Sequence, residues 1–172
     1  MSSELRVDKI IPTAGVPTGG GGGIIQIVQG STSSRTATSS STYQATNLSC
    51  TITPKFSTSK IYITLGGDAN NNGNANNMLL TYYRDIGGGG YSNIAPNGPS
   101  DSSGATQNYG LCNVYSSASR IHVPMAMPFL DSPNTTLSVT YKVYIRSLSG
   151  TVEYPVNDGY QAARMFLMEV SA

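Results

Sequence analysis

The sequence predicts an all-β fold, a jelly-roll-like two-sheet sandwich preceded by an extended N-terminal arm. Three observations carry this. First, about eight segments read as strands, several of them with apolar residues at every second position, the period of a strand buried on one face, and there is no convincing helix. Second, only 11% of the 172 residues are charged, and 40 are serine or threonine. Such polarity could mean disorder, but the 11 tyrosines and the recurrent β-branched runs belong to a chain with a core. Third, Gly19–Gly23 run directly into Ile24-Ile25-Gln26-Ile27-Val28, a strand candidate. The chain therefore divides into an arm and glycine-rich joint, residues 1–23, and a body, residues 24–172, long enough for one core.

In the arm, Leu5, Val7, Ile10 and Ile11 are apolar, and the stretch from Leu5 to Lys9 alternates as an extended segment does. Pro12 and Pro17 exclude a helix beyond it. So short a segment cannot bury its apolar side alone. It is expected to lie on the body, a neighbouring copy or a partner, with Leu5, Val7, Ile10, Ile11 and Pro12 as the anchor. Gly19, Gly20, Gly21, Gly22 and Gly23 form the joint. The abrupt start of the body at Ile24 implies that they are ordered by packing at a subunit contact.

Ile24–Val28 opens the body as a strand, and the Ser/Thr-rich stretch from Ser31 to Thr42 reads as an exposed loop or edge strand. Leu48, Cys50 and Ile52 face inward on the next strand, which Pro54 stops. Ile61, Ile63 and Leu65 do so on the one that Gly66-Gly67 ends. Asp68 to Asn77 holds six asparagines and nothing apolar larger than alanine, and is expected to be a solvated loop. Met78–Arg84 is a strand, Tyr91–Asn108 a second long polar loop, and Tyr109–Tyr115 a short strand. From Ser119 to Leu130 one strand is expected, with Ile121, Val123, Met125, Met127 and Phe129 on one face. Pro124 and Pro128 on the other face confine it to an edge or a bulge. Asp131–Asn134 is a turn, and Leu137, Val139, Tyr141, Val143 and Ile145 share one face of a long strand. Thr151–Val156 and Arg164–Val170 complete the set.

Catalytic patterns are absent. The one histidine, His122, lies within a strand, and no Gly-x-Ser-x-Gly elbow occurs. Glu153 and Asp158 fall in a turn region, which is a plainer home than a glycosidase pair. One histidine and two distant cysteines make no zinc site, and an asparagine loop has too little charge to hold calcium well, so no cofactor or metal is expected. Cys50 reads as a small inward apolar residue, and whether it pairs with Cys112 stays open. The net charge of +1, with no basic stripe, speaks against a nucleic-acid partner. Glu4, Arg6, Asp8 and Lys9 interrupt any signal peptide, and no apolar run reaches the roughly 20 residues of a membrane span.

Recognition remains. Tyr43, Tyr62, Tyr91, Tyr109, Tyr115 and Tyr160 are candidate exposed aromatic contacts, suited to protein and sugar surfaces alike. Asn70, Asn74, Tyr91, Asn93, Asp101 and Tyr109, in or beside the two polar loops, form the candidate receptor or partner surface.

Two stretches resemble a known group. Ser3-Glu4-Leu5-Arg6-Val7-Asp8-Lys9-Ile10-Ile11-Pro12, continuing through Gly15-Val16-Pro17-Thr18 and the glycine run into Ile24–Gln29, resembles the start of small tail-fibre-like virion proteins of cyanophages and other marine bacteriophages. Phe129–Thr136, Val139–Val143 and Met168-Glu169-Val170 resemble the C-terminal half of the same group. Both stretches lie in the same order as in that group. The resemblance implies a homotrimeric, non-enzymatic virion protein, a tail-fibre-like appendage engaged in host attachment or a capsid decoration. Its partners would be copies of itself, other virion proteins and a host surface glycan or receptor. A chain of 172 residues leaves no room for a long shaft, which favours a short appendage or a decoration, whereas the resemblance favours a fibre. The rival from another class is a free, monomeric carbohydrate-binding module with tyrosines stacked on sugar.

Overall fold

The computed structural model describes residues 23–72, 76–94, 110–117, 121–156 and 162–171, and among these there are thirteen strands and no helix. The fold is all-β. The anchor residues Leu5, Val7, Ile10, Ile11 and Pro12 and the joint residues Gly19–Gly22 lie outside the described residues.

Three sheets form, every ladder antiparallel. The first contains β1 (Ile24–Thr32), β13 (Ala163–Val170), β4 (Lys60–Gly66) and β10 (Phe129–Asp131), side by side in that order. The second contains β3 (Gln44–Ile52), β11 (Val139–Ser147), β6 (Asn76–Ile86) and β7 (Ser92–Asn93), and β8 (Cys112–Ser116) also pairs with β6. A third, of short strands, contains β2 (Ala37–Thr38), β12 (Thr151–Glu153), β5 (Asp68–Asn72) and β9 (Ile121–Pro124).

The alternation read from the sequence sets the core. Ile61, Ile63 and Leu65 of β4 and Met165 and Leu167 of β13 face inward from the first sheet. Leu48, Cys50, Ile52, Leu80, Tyr82, Val139, Tyr141, Val143 and Ile145 face them from the second, in one continuous cluster. Each such side chain contributes roughly 1.5–3 kcal/mol by leaving water. β1 crosses β3 so closely that a side chain at Gly30 would begin 2.1 Å from the Ser49 carbonyl oxygen, so only glycine fits there.

The third sheet is made of connections. β2 lies between β1 and β3, β5 between β4 and β6, β9 between β8 and β10, and β12 between β11 and β13. At each, the chain passes from one main sheet to the other. At the β4–β5 corner, Gly67 adopts φ 139°, and an added Cβ would lie 2.8 Å from that of Ala163.

Three expectations are corrected here. The segment expected as a solvated loop is a strand over Asp68–Asn72: β5 is held between β12 and β9, and Ala69, Asn70 and Asn71 are buried. Its burial comes from the neighbouring strands rather than from apolar side chains. The segment 119–130 is not one strand. It bends between Pro124 and Phe129 and gives β9 to the third sheet and β10 to the first, each at a sheet edge, as its prolines require. The inward alternation persists through the bend, with Met125 and Met127 buried. Leu137 does not share the inward face of β11, because the strand begins at Val139 and Leu137 is exposed in the preceding connection.

Three buried carboxylates fasten the body. Asp131 of β10 accepts bonds from the Arg84 guanidinium on β6, at 2.8 and 2.9 Å, and from the Tyr141 hydroxyl on β11, at 2.7 Å, so it joins the two main sheets. Glu169 of β13 accepts the backbone N–H groups of Lys55 and Phe56 and the side-chain amide of Gln26, which pins the β3–β4 connection. Glu153 of β12 accepts from Arg35 at 2.9 Å and from the Asn70 amide at 3.0 Å. These are charge-assisted bonds, stronger than neutral ones.

Two outcomes follow from this packing. Gly30→Ala should lower stability by about 1–3 kcal/mol in chemical denaturation, because the β1–β3 contact has no room for a methyl. The second concerns alkali. Burial, first, raises the hydroxyl pKa of Tyr82, Tyr141 and Tyr154 well above the ordinary value, helped by Tyr154 and Tyr62 around Tyr82, by Asp131 at Tyr141 and by Asp68 near Tyr154. Below pH ~10 folded and unfolded chains both keep these protons, so that contribution is fully present. Above it the unfolded chain releases them and the folded one does not, so stability falls by roughly 1.4 kcal/mol per pH unit for each tyrosine. Phenolate absorbance from these three should appear together with loss of the β-sheet circular dichroism, not before it.

Candidate functional site

The two main sheets turn different faces outward. On the first sheet, register places Ile27 beside Met168, Met168 beside Tyr62, and Tyr62 beside Leu130, an apolar row crossing all four strands. Phe166, Val170 and Ile24 extend it on both sides, and charge enters only at the fringe, with Lys60 and Arg164. Ile24, Ile27 and Leu130 are 57%, 55% and 52% exposed. The inward neighbours on β13, Met165, Leu167 and Glu169, are buried, so β13 is largely apolar on both faces. An antiparallel strand with one solvated face usually alternates apolar with polar residues, and β13 departs from that pattern.

On the second sheet the outward side chains form a chain of ring contacts. Tyr83 of β6 and Tyr144 of β11 stack at 3.8 Å with planes 19° apart. Tyr43 leans on Tyr83 at 6.2 Å, and Tyr91 on Tyr144 at 6.1 Å. Arg146 lies over the Tyr43 ring and Lys142 over the Tyr91 ring, each at 5.2 Å. Tyr144 is directly opposite Thr81 on β6, and Tyr83 opposite Lys142, so the stack runs diagonally across the two strands. Burial pushes the hydroxyls of Tyr43, Tyr83, Tyr91 and Tyr144 up from their ordinary value, with Arg146 opposing it at Tyr43. The ring faces contact one another and the two cations, which leaves ring edges, hydroxyls and cationic groups at the surface.

The expected site residues separate accordingly. Tyr91 is exposed at one end of the ring chain, and Asn93 of β7 is half-buried and accepts the Thr81 hydroxyl at 3.0 Å. Asn70 is corrected: it is 0% exposed, with its amide on Glu153, and no part of an outer surface in this chain. Asn74, Asp101 and Tyr109 lie outside the described residues. Gly23 is exposed, and a Cβ there would meet nothing within 4 Å. Tyr62 belongs to the apolar row, and Tyr115 is 60% exposed. Tyr83 and Tyr144 were not singled out from the sequence; the signal was their alternation with inward residues on two strands, which becomes a contact only once the pairing is known.

Cys50 and Cys112 are free thiols, their pKa values raised first by burial. Among the described residues no group of three or more His, Cys, Asp or Glu could hold a metal ion. Among the described residues no helix is long and apolar enough to cross a membrane. No protein-family model matches the chain, and no curated protein matches it significantly.

If the ring chain is a surface feature rather than a core element, Tyr144→Ala should cost about 0.5–1.5 kcal/mol in denaturant unfolding, the value of one aromatic pair. A loss of 3 kcal/mol or more, typical of an aromatic removed from a core, would count against it.

Proposed function

We propose that this chain is a non-enzymatic structural protein of a bacteriophage virion, a short trimeric tail-fibre-like appendage engaged in attachment to the host surface. One observation carries the reading. The apolar row across the first sheet leaves Ile27 and Leu130 more than half exposed, in a chain with 11% charged residues. A protein of such composition needs that face covered, and an assembly brings the covers, a neighbouring copy's body or an N-terminal arm.

Strand order supports a jelly-roll body. Numbering β1, β3, β4, β6, β8, β10, β11 and β13 from 1 to 8, the two main sheets run 1-8-3-6 and 2-7-4-5. Two interleaved Greek keys produce this order, and capsid and lectin domains use the architecture. The likeness of residues 3–29 to marine phage tail-fibre-like proteins supports the virion setting. In that setting residues 1–17 hold the protein to neighbouring subunits or another virion protein, and the second sheet, with Tyr91 and Asn93, faces outward.

The same strand order suits a capsid decoration protein, and position on the particle separates the two. The ring chain speaks against a free carbohydrate-binding module of the stacking type, because its tyrosine faces already have partners. Light scattering on the purified protein should give three times the 18.0 kDa chain mass, and a monomer would overturn the assembly. Virions made with a chain lacking residues 1–17 should lack the protein; normal incorporation would remove the anchoring role. Electron microscopy of labelled particles should place it on the tail.

A further inference from the structure

The apolar face of the first sheet and the N-terminal arm are the two parts of this chain that each need a cover. We propose that they cover each other: the arm, through Leu5, Val7, Ile10 and Ile11, docks on the row Ile27–Met168–Tyr62–Leu130. This deepens the assembly reading above by naming the surface that the arm grips, its own body's or, exchanged within the trimer, a neighbouring copy's, and rests on that reading only for the arm's role as an anchor.

Size decides between occupants. Strands lie about 4.8 Å apart and outward residues about 6.8 Å apart along a strand. The four-stranded row is then about 14 Å wide, and the rows of Phe166 and Val170 beside it make the face about 14 Å long, roughly 200 Å² between side-chain centres. A stable pair of folded bodies needs about 800 Å² from each partner. The face is too small for that alone, and it suits an extended peptide.

Position points to which peptide. The Gly23 carbonyl accepts the Ser171 N–H at 3.0 Å, so the chain enters the body at the edge strand of this same sheet. Ile24, the next residue, already pairs with Val170 on the apolar face. The 11 residues from Pro12 to Gly22 reach at most about 36 Å, more than twice the width of the row. Every position on the face is therefore within range of the arm. Leu5 and Val7, two residues apart, match the spacing of successive outward residues on a strand. Tethering raises the arm's local concentration to the millimolar range, so a modest apolar contact suffices to hold it.

A four-protein comparison by thermal unfolding tests this: the full chain, Leu130→Ser, deletion of residues 1–17, and both changes together. Leu130→Ser should lower the midpoint of the full chain by several degrees and leave that of the truncated chain unchanged, since the two changes remove one contact. Ile27→Thr, which keeps strand propensity, should behave the same way. Leu137→Ser, an exposed leucine outside the sheets, should be silent in both backgrounds. Equal effects of Leu130→Ser in the full and truncated chains would overturn the proposal. So would light scattering in which the truncated chain still associates and Leu130→Ser dissociates it, because the face would then hold the body of a second copy. A monomeric full chain that retains the coupling would remove the trimer and keep the docking.

Discussion

All but one of the links between successive main strands cross from one sheet to the other, and most of this structure depends on that constraint. Neighbours in sequence become partners across the core rather than within a sheet. β13, last in the chain, must then enter between β1 and β4, where it completes the first sheet. Crossing also explains the third sheet. Four passages at one end of the body bring four short segments side by side, and pairing satisfies backbone groups that a bare turn would leave to water. Gly67, at φ 139°, supplies the corner between β4 and β5.

With few charges available, those inside have definite tasks. Asp131 ties its sheet to Arg84 of the far one, while Glu169 and Glu153 accept bonds from segments outside the main sheets, the β3–β4 connection and the Ser/Thr-rich stretch at Arg35. Burying a carboxylate is costly unless hydrogen bonds replace its water, and each of the three has at least two donors. The outer faces then divide the remaining chemistry. One is apolar; the other is aromatic, hydroxylated and cationic at its ends.

How much of this was legible depends on what each residue's burial rests upon. Leu48, Cys50 and Ile52, and Ile61, Ile63 and Leu65, were readable because alternation with polar residues reports a face directly. The edge position of Pro124 was readable too, since a missing N–H restricts where proline can sit. Asn70 was misjudged because its burial is supplied by β12, and no local pattern records a neighbouring strand. Leu137 continued the correct period two residues past the point where the backbone leaves the sheet. The apolar row combines one residue from each of four strands distant in sequence, so its members look unremarkable until strand order is known.

The tyrosine stack has an optical consequence. The sequence has no tryptophan, so tyrosine is its only strong intrinsic fluorophore. Tyr83 and Tyr144, 3.8 Å apart with Tyr43 and Tyr91 in contact, form a coupled chromophore through which excitation energy passes readily. Emission from the protein is therefore weighted by the state of one outer face, and whatever displaces Lys142 or Arg146 from its ring changes the light that the molecule gives out.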